Sequence, residues 1–188
     1  MELSNTITIP AGVNATWQAL NDPEFLKACI AGCEAIERVA DNDYKVVVAA
    51  KVGPVSARFS GKLRLEDLQA PTAYSVVFEG QGGAAGFAKG RARVTLQPQE
   101  GDASTLLSYQ AQAQVGGKLA QIGSRLVDAA AAKQAADFFT AFNTKMALLH
   151  APAAAAPAVE AEGGRPWVKW AWVAVAAALA AAWLLSRR

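Results

Sequence analysis

Hydrophobic and polar residues change rhythm twice along this chain. Glu2–Ile9 alternates, with Leu3, Asn5, Ile7 and Ile9 on one side, and reads as a strand ended by Pro10. A helical period follows. Asn14 is expected to cap a helix through Trp17 and Leu20. Asn21-Asp22 opens a second short helix with Pro23 at its first position, where a missing N–H costs nothing, and this helix stops near Gly32. From Cys33 to Gly117 the period is two. Tyr44–Val52, Val55–Leu65, Ala73–Gly80, Gly90–Gln97 and Ser104–Val115 read as strands, separated by turn signals at Gly53-Pro54, Ala70-Pro71, Gly82-Gly83 and Glu100-Gly101-Asp102. In Val55–Leu65 the apolar set Val55, Ala57, Phe59, Gly61, Leu63 and Leu65 faces one way and Ser56, Arg58, Ser60, Lys62 and Arg64 the other. Each strand is therefore wet on one face and apolar on the other.

Lys118–Leu149 returns to a helical period, with Leu119, Ile122, Leu126, Phe139, Phe142, Met146 and Leu149 near one face and Gly123 placed to break the first turn. The order is one strand, two short helices, about six antiparallel strands and one long helix. It predicts an α+β fold in which a curved sheet wraps the long helix and encloses an interior space. Three regions follow: a domain over 1–150, an Ala/Pro/Gly linker over 151–166 (APAAAAPAVEAEGGRP) with no core residues, and an apolar segment over 167–185.

That segment, WVKWAWVAVAAALAAAWLL, is apolar all round apart from Lys169. About 19 residues at ~1.5 Å each give roughly 28 Å of helix, close to the ~30 Å hydrocarbon core. Trp167, Trp170 and Trp172 stand at one end and Trp183 at the other, where indoles favour the headgroup level, and Arg187 and Arg188 can snorkel at the far end. The segment is expected to span the membrane. MELSNTITIPAG has neither a basic n-region nor an apolar h-region, so no signal peptide is expected. The domain would then be tail-anchored on the cytoplasmic face, although basic residues on both sides of the span leave its orientation weakly specified.

Charge narrows the partners. Residues 1–150 carry equal numbers of basic and acidic side chains, and the net +2 of the whole chain comes from the tail, with Arg165, Lys169, Arg187 and Arg188. A domain without a concentrated basic face is not expected to bind nucleic acid. The single histidine, His150, lies at the edge of the linker, so no triad or His-based acid/base centre can be built inside the domain. Cys29 and Cys33 lack the second Cys or His pair that zinc needs, and are expected to be structural thiols with no metal. The glycine run Gly80–Gly86 is followed by a strand and not a helix, so no helix N-terminus can receive a pyrophosphate.

The inward positions mix bulky with small residues, as in the row Leu107, Tyr109, Ala111, Ala113 and Val115. Either volume is left for an apolar ligand, or Phe138, Phe139 and Phe142 of the long helix fill it. Phe25, Val48, Phe59, Leu63, Val76, Phe78, Phe87, Tyr109, Phe139 and Phe142 are the expected cavity lining. Tyr109 can offer a hydrogen bond to a ligand carbonyl, and core packing is its other reading. The mouth is expected where the Gly82–Phe87 hairpin meets Glu24–Gly32. Arg91, Arg93 and Arg125 are candidates for a docking face.

The chain resembles the carbon monoxide dehydrogenase CoxG family, within the START-like/SRPBCC helix-grip superfamily. The resemblance rests on Asp22-Pro23-Glu24, Cys29-Ile30-Ala31-Gly32-Cys33-Glu34, Val52-Gly53-Pro54-Val55, Phe59-Ser60-Gly61, Gly86-Phe87-Ala88-Lys89-Gly90, and Gly116-Gly117-Lys118-Leu119-Ala120 through Gly123-Ser124-Arg125-Leu126 to Phe138-Phe139. Ala31 stands where the family turn usually has Pro. The resemblance implies a helix-grip domain that is an accessory protein and not an enzyme. It also implies association with a molybdenum-containing carbon monoxide dehydrogenase or related hydroxylase at the cytoplasmic membrane, and a cavity for an apolar small molecule. A quinone is the economical ligand, because an enzyme oxidising its substrate at a membrane must pass electrons to the respiratory pool. No cofactor is expected beyond such a bound quinone or lipid. The rival readings are a lipid- or polyketide-type ligand-binding or cyclase enzyme on the same fold, and a structural anchor with a filled core.

Overall fold

A computed structural model of the protein describes residues 1–99, 101 and 103–150. The expected linker and the Trp167–Leu185 segment, with Trp167, Trp170, Trp172, Trp183, Arg187 and Arg188, lie outside the described residues. Among the described residues no helix is long and apolar enough to cross a membrane. Met1–His150 forms one compact unit.

The chain runs β1 (Glu2–Ile9), α1 (Val13–Leu20), α2 (Pro23–Cys29), β2 (Cys33–Arg38), β3 (Asp43–Val52), β4 (Val55–Gln69), β5 (Ala73–Gln81), β6 (Phe87–Gln99), β7 (Ser104–Gly116), α3 (Lys118–Gln121) and α4 (Ser124–His150). The seven strands form one antiparallel sheet in the order β1-β7-β6-β5-β4-β3-β2. Alternation decides which face turns inward. Along β4, Val55, Ala57, Phe59, Gly61, Leu63 and Leu65 are shielded while the five residues between them are exposed. The fold is α+β, with α1, α2 and α4 on the apolar face of the sheet.

The cap of α1 and the end of α2 depart from the sequence reading, whereas the start of α2 at Asp22-Pro23 and the break at Gly123 are where it placed them. Gly12 and not Asn14 caps α1, because the first helical hydrogen bond is already made by Thr16 N–H to the Gly12 carbonyl at 3.0 Å. Asp22 caps α2 as its side chain accepts from the Glu24 and Phe25 N–H groups, and the helix ends at Cys29. Gly123, at φ +92°, separates α3 from α4 and resets the helical phase. Val127 therefore turns inward and Leu126 is left 49% exposed, while Leu149 in the last turn is also exposed.

The densest packing lies under the middle and C-terminal half of α4. Phe142 and Met146 are fully buried among Ile9, Leu20, Leu96 and Leu107, and Phe25 of α2 meets Phe142 edge-on with ring centroids 5.2 Å apart. Asn143 donates to the Thr8 carbonyl at 3.1 Å and fastens α4 to β1. At the same end Thr105 donates to the Ala11 carbonyl at 2.7 Å, holding the entry to α1 against β7.

Candidate functional site

Between the sheet and the N-terminal half of α4 the packing opens into a cavity of about 450 Å³. The sheet supplies Ile36, Tyr44, Leu63, Leu65, Tyr74, Val76, Ala92, Val94, Leu107 and Tyr109. Leu20 closes one side from α1, and Leu26 and Ile30 come from α2 and its C-cap. Helix α4 adds Ala131, Gln134, Ala135, Phe138 and Phe139. The cause of the opening is visible in the sequence of α4. Its first half presents Ala131 and Ala135 to the sheet, where its second half presents Phe142 and Met146. Alanine side chains are too short to reach the opposite wall, so the volume stays unfilled.

Of the ten expected lining residues, the cavity wall contains Leu63, Val76, Tyr109 and Phe139. Tyr109 and Phe139 stack nearly parallel at 5.3 Å. The other six lie elsewhere. Phe25 and Phe142 are consumed in the solid packing under α4. Val48 sits opposite Phe59 near the β3–β4 turn, beyond the cavity. Phe59, Phe78 and Phe87 each lie against a glycine on the adjacent strand or turn. A Cβ on Gly82 would be 2.4 Å from the Phe59 ring, one on Gly90 2.7 Å from the Phe78 ring, and one on Gly116 2.2 Å from the Phe87 ring. These glycines thus face aromatic rings on the neighbouring strands and are not part of the apolar cavity wall.

The expected mouth is corrected on one side. Leu26 and Ile30 do line the cavity, but no residue of Gly82–Phe87 does. That hairpin is tied down: Gly82 N–H donates to the Gly86 carbonyl at 2.8 Å, and a Cβ on Gly86 would fall 1.9 Å from the Gly116 carbonyl oxygen. On the Leu26–Ile30 side the α2–β2 turn is joined to α4. There the exposed Gln134 side chain donates to the Ala31 carbonyl at 3.1 Å, and Gly32 is pinned to β3 by Ala49 N–H at 2.8 Å.

The sequence reading missed Tyr44, Tyr74 and the α4 set Ala131, Gln134 and Ala135. The tyrosines carried a signal, since each occupies the inward phase of its strand, two residues before Val46 and Val76 respectively. Burial raises the Tyr74 phenol well above its usual range, with a smaller contribution from Tyr44. Burial also raises Tyr109. Cys29 is buried and Cys33 half-buried, both free; burial pushes both thiols up, against the opposing charges of Lys145 and Lys27 respectively. Neither cysteine lines the cavity.

The outer face of the sheet is polar. Arg91 and Arg93 both project there from β6, and Arg91 is held by Asp67 at 2.5 Å and Glu66 at 3.5 Å. Arg125 is exposed in the first turn of α4.

Comparison with known proteins agrees with this architecture. The profile of the CoxG family, named for a component of carbon monoxide dehydrogenase, matches residues 6–147. No curated protein matches the chain. Among solved structures, a conserved protein from Geobacillus kaustophilus is 28% identical with a TM-score of 0.73, the alignment covering 79% of this chain and 96% of that one. A START superfamily protein from Mycobacterium smegmatis is 16% identical at a TM-score of 0.62, covering 79% and 98%. The Zhui aromatase/cyclase from Streptomyces sp. R1128 is 12% identical at 0.57, covering 78% and 93%. The last two likenesses establish a shared fold.

Proposed function

Since the chain belongs to the carbon monoxide dehydrogenase CoxG family, we propose that it is a membrane-tethered accessory protein of a carbon monoxide dehydrogenase-type molybdenum hydroxylase. In this reading the 167–185 segment holds the domain at the cytoplasmic face of the membrane. The domain recruits the soluble enzyme there, and its cavity accepts an apolar membrane molecule, a quinone being the candidate of choice. The observation that carries the ligand part is the cavity of about 450 Å³ walled almost wholly by apolar side chains. A pocket of this size and lining falls in the range that takes a small ligand.

The same wall favours carriage over catalysis. Its polar side chains are Tyr44, Tyr74, Tyr109 and Gln134, with no carboxylate, histidine or thiol among the described lining residues. A cyclase on this fold would need convergent acid and base groups in the cavity. A filled structural anchor would have no such opening.

Mass spectrometry of organic extracts from the natively purified full-length protein tests the ligand part. A stoichiometric quinone or other apolar lipid is expected. Ala135→Trp, which projects an indole from α4 into the opening, is expected to abolish it while the protein still sediments with membranes. A wild-type protein carrying no apolar molecule, and taking up none when offered, overturns the carrier reading. Isolation of membranes tests the rest: hydroxylase subunits are expected to co-purify with the full chain, and their absence overturns the recruitment reading.

A further inference from the structure

Two of the three phenols in the cavity wall are almost wholly buried, and their hydroxyls have no partner among the described residues. Tyr44 and Tyr74 are each 5% exposed, both line the cavity, and neither hydroxyl makes a hydrogen bond to another described residue. For packing alone, phenylalanine would serve at both positions. The Tyr74 ring already meets Trp17 edge-on at 5.4 Å, and Leu63 stands directly across from Tyr44 on β4. Neither hydroxyl is among the fully enclosed polar atoms that lack a partner, so each keeps access to open space, and beside this apolar wall a ligand acceptor can take the hydrogen bond that water would otherwise accept. Gln134, the one non-aromatic polar side chain among the described lining residues, is exposed and engaged with the Ala31 carbonyl. It marks the outer side of the cavity, and the tyrosines mark the inner side.

Resting on the carrier reading above, we propose that Tyr44 and Tyr74 form the hydrogen-bonding end of the cavity and select a neutral ligand whose apolar body ends in an oxygen acceptor, such as a ring carbonyl. Neutrality follows from the wall itself. No Lys, Arg or His is among the described residues that line the cavity, so a carboxylate ligand would be buried there without a counter-charge. A phenol hydroxyl can donate one hydrogen bond to such an acceptor. A plain hydrocarbon would fill the volume but leave both hydroxyls unpaired.

The test compares three probes of one ring skeleton on the full-length protein in detergent: menadione, 2-methylnaphthalene and 2-naphthoate. Menadione is expected to bind at least tenfold more tightly than 2-naphthoate. Tyr44→Phe and Tyr74→Phe are each expected to weaken menadione about five- to tenfold, the usual effect of losing one neutral hydrogen bond. Both are expected to leave 2-methylnaphthalene within twofold. Infrared spectra of bound menadione should show a carbonyl stretch lowered by hydrogen bonding in the wild type and restored toward the free value in the double variant, a readout that loss of packing would not produce. If menadione affinity and its carbonyl band are unchanged in both variants while the probes still bind, the assignment of the tyrosines is wrong and the carrier reading stands. Tight binding of 2-naphthoate overturns the selection for neutral ligands. If the wild type binds none of the three, the carrier reading itself fails.

Discussion

Gly90 shows how much of this fold is settled by single positions. A Cβ there would lie 2.2 Å from the Gln112 carbonyl oxygen and 2.7 Å from the Phe78 ring. The ring can shift, but the carbonyl belongs to the β6–β7 ladder and cannot move without breaking it. Gly90→Ala is therefore expected to cost about 2–4 kcal/mol in urea denaturation. Gly83 is the contrasting case, with φ +57° and no atom within 4 Å of an added Cβ. Gly83→Ala should cost only the backbone strain, about 1–2 kcal/mol. Equal losses at both positions would refute the steric account. Tyr74 yields a prediction of another kind. Its folded-state pKa is raised above the ordinary value of 10.0 because the phenol is buried. Below that pH the protonated phenol imposes no penalty on folding. As pH rises past it, the unfolded chain releases the proton and the folded protein does not, so stability falls. Tyr74→Phe should flatten this alkaline limb when urea midpoints are followed from pH 8 to 11, and an unchanged slope would count against it.

At the scale of elements, the strands were legible and the helix ends were not. Over Val55–Leu65 a period of two places every residue of β4 on the correct face, because a strand has only two faces. A helix has no such redundancy. The break at Gly123 shifts the phase of α4 by enough to exchange Leu126 for Val127 at the inner surface. The cavity was legible as a possibility, from small inward residues. Its wall was misplaced because alternation tells which face a residue is on and not how far along the curved sheet it lies. Phe59, Phe78 and Phe87 are on or near the inner surface but sit over glycines of neighbouring strands, and only the register between strands reveals that pairing. Tyr44 and Tyr74 obeyed the same alternation and were overlooked in favour of phenylalanines. The α2–β2 turn allows a test at this scale. Ile30 already has φ −85° and ψ 112°, the extended conformation required of a residue before proline. The Ala31 N–H donates to no described group, whereas its carbonyl, which proline would keep, accepts from Gln134. Ala31→Pro is expected to be tolerated, with stability unchanged or raised by up to about 1 kcal/mol through a stiffer unfolded chain. A loss beyond about 1 kcal/mol would show that the turn requires an N–H or a φ that proline cannot supply.

At the scale of the whole molecule, the division of labour between domain and tail is itself testable. Met1–His150 contains the entire sheet, its helices and the cavity. Its last turn leaves Leu148 and Leu149 exposed at 77% and 67%, so cutting after it opens no packed interior. The 151–166 stretch has alanines, prolines, glycines and charges but no large apolar residue that a core would miss except Val159. A protein truncated after His150 is accordingly expected to keep its β-rich circular dichroism spectrum and to unfold cooperatively at a midpoint within a few degrees of the full chain. It should also keep menadione binding while moving from the membrane fraction to the soluble one. Under the proposed tethering, the 151–166 linker limits how far the domain can stray from the membrane. About 16 linker residues reach roughly 20 Å as a flexible coil and up to about 50 Å where proline extends them. Lengthening the linker with Gly/Ser repeats is then expected to leave membrane attachment intact and to slow delivery of quinone from vesicles to the domain. If the truncated protein is unfolded, the domain is not self-sufficient. If the full chain stays in the soluble fraction, the 167–185 segment is not an anchor, and the recruitment role loses its physical basis.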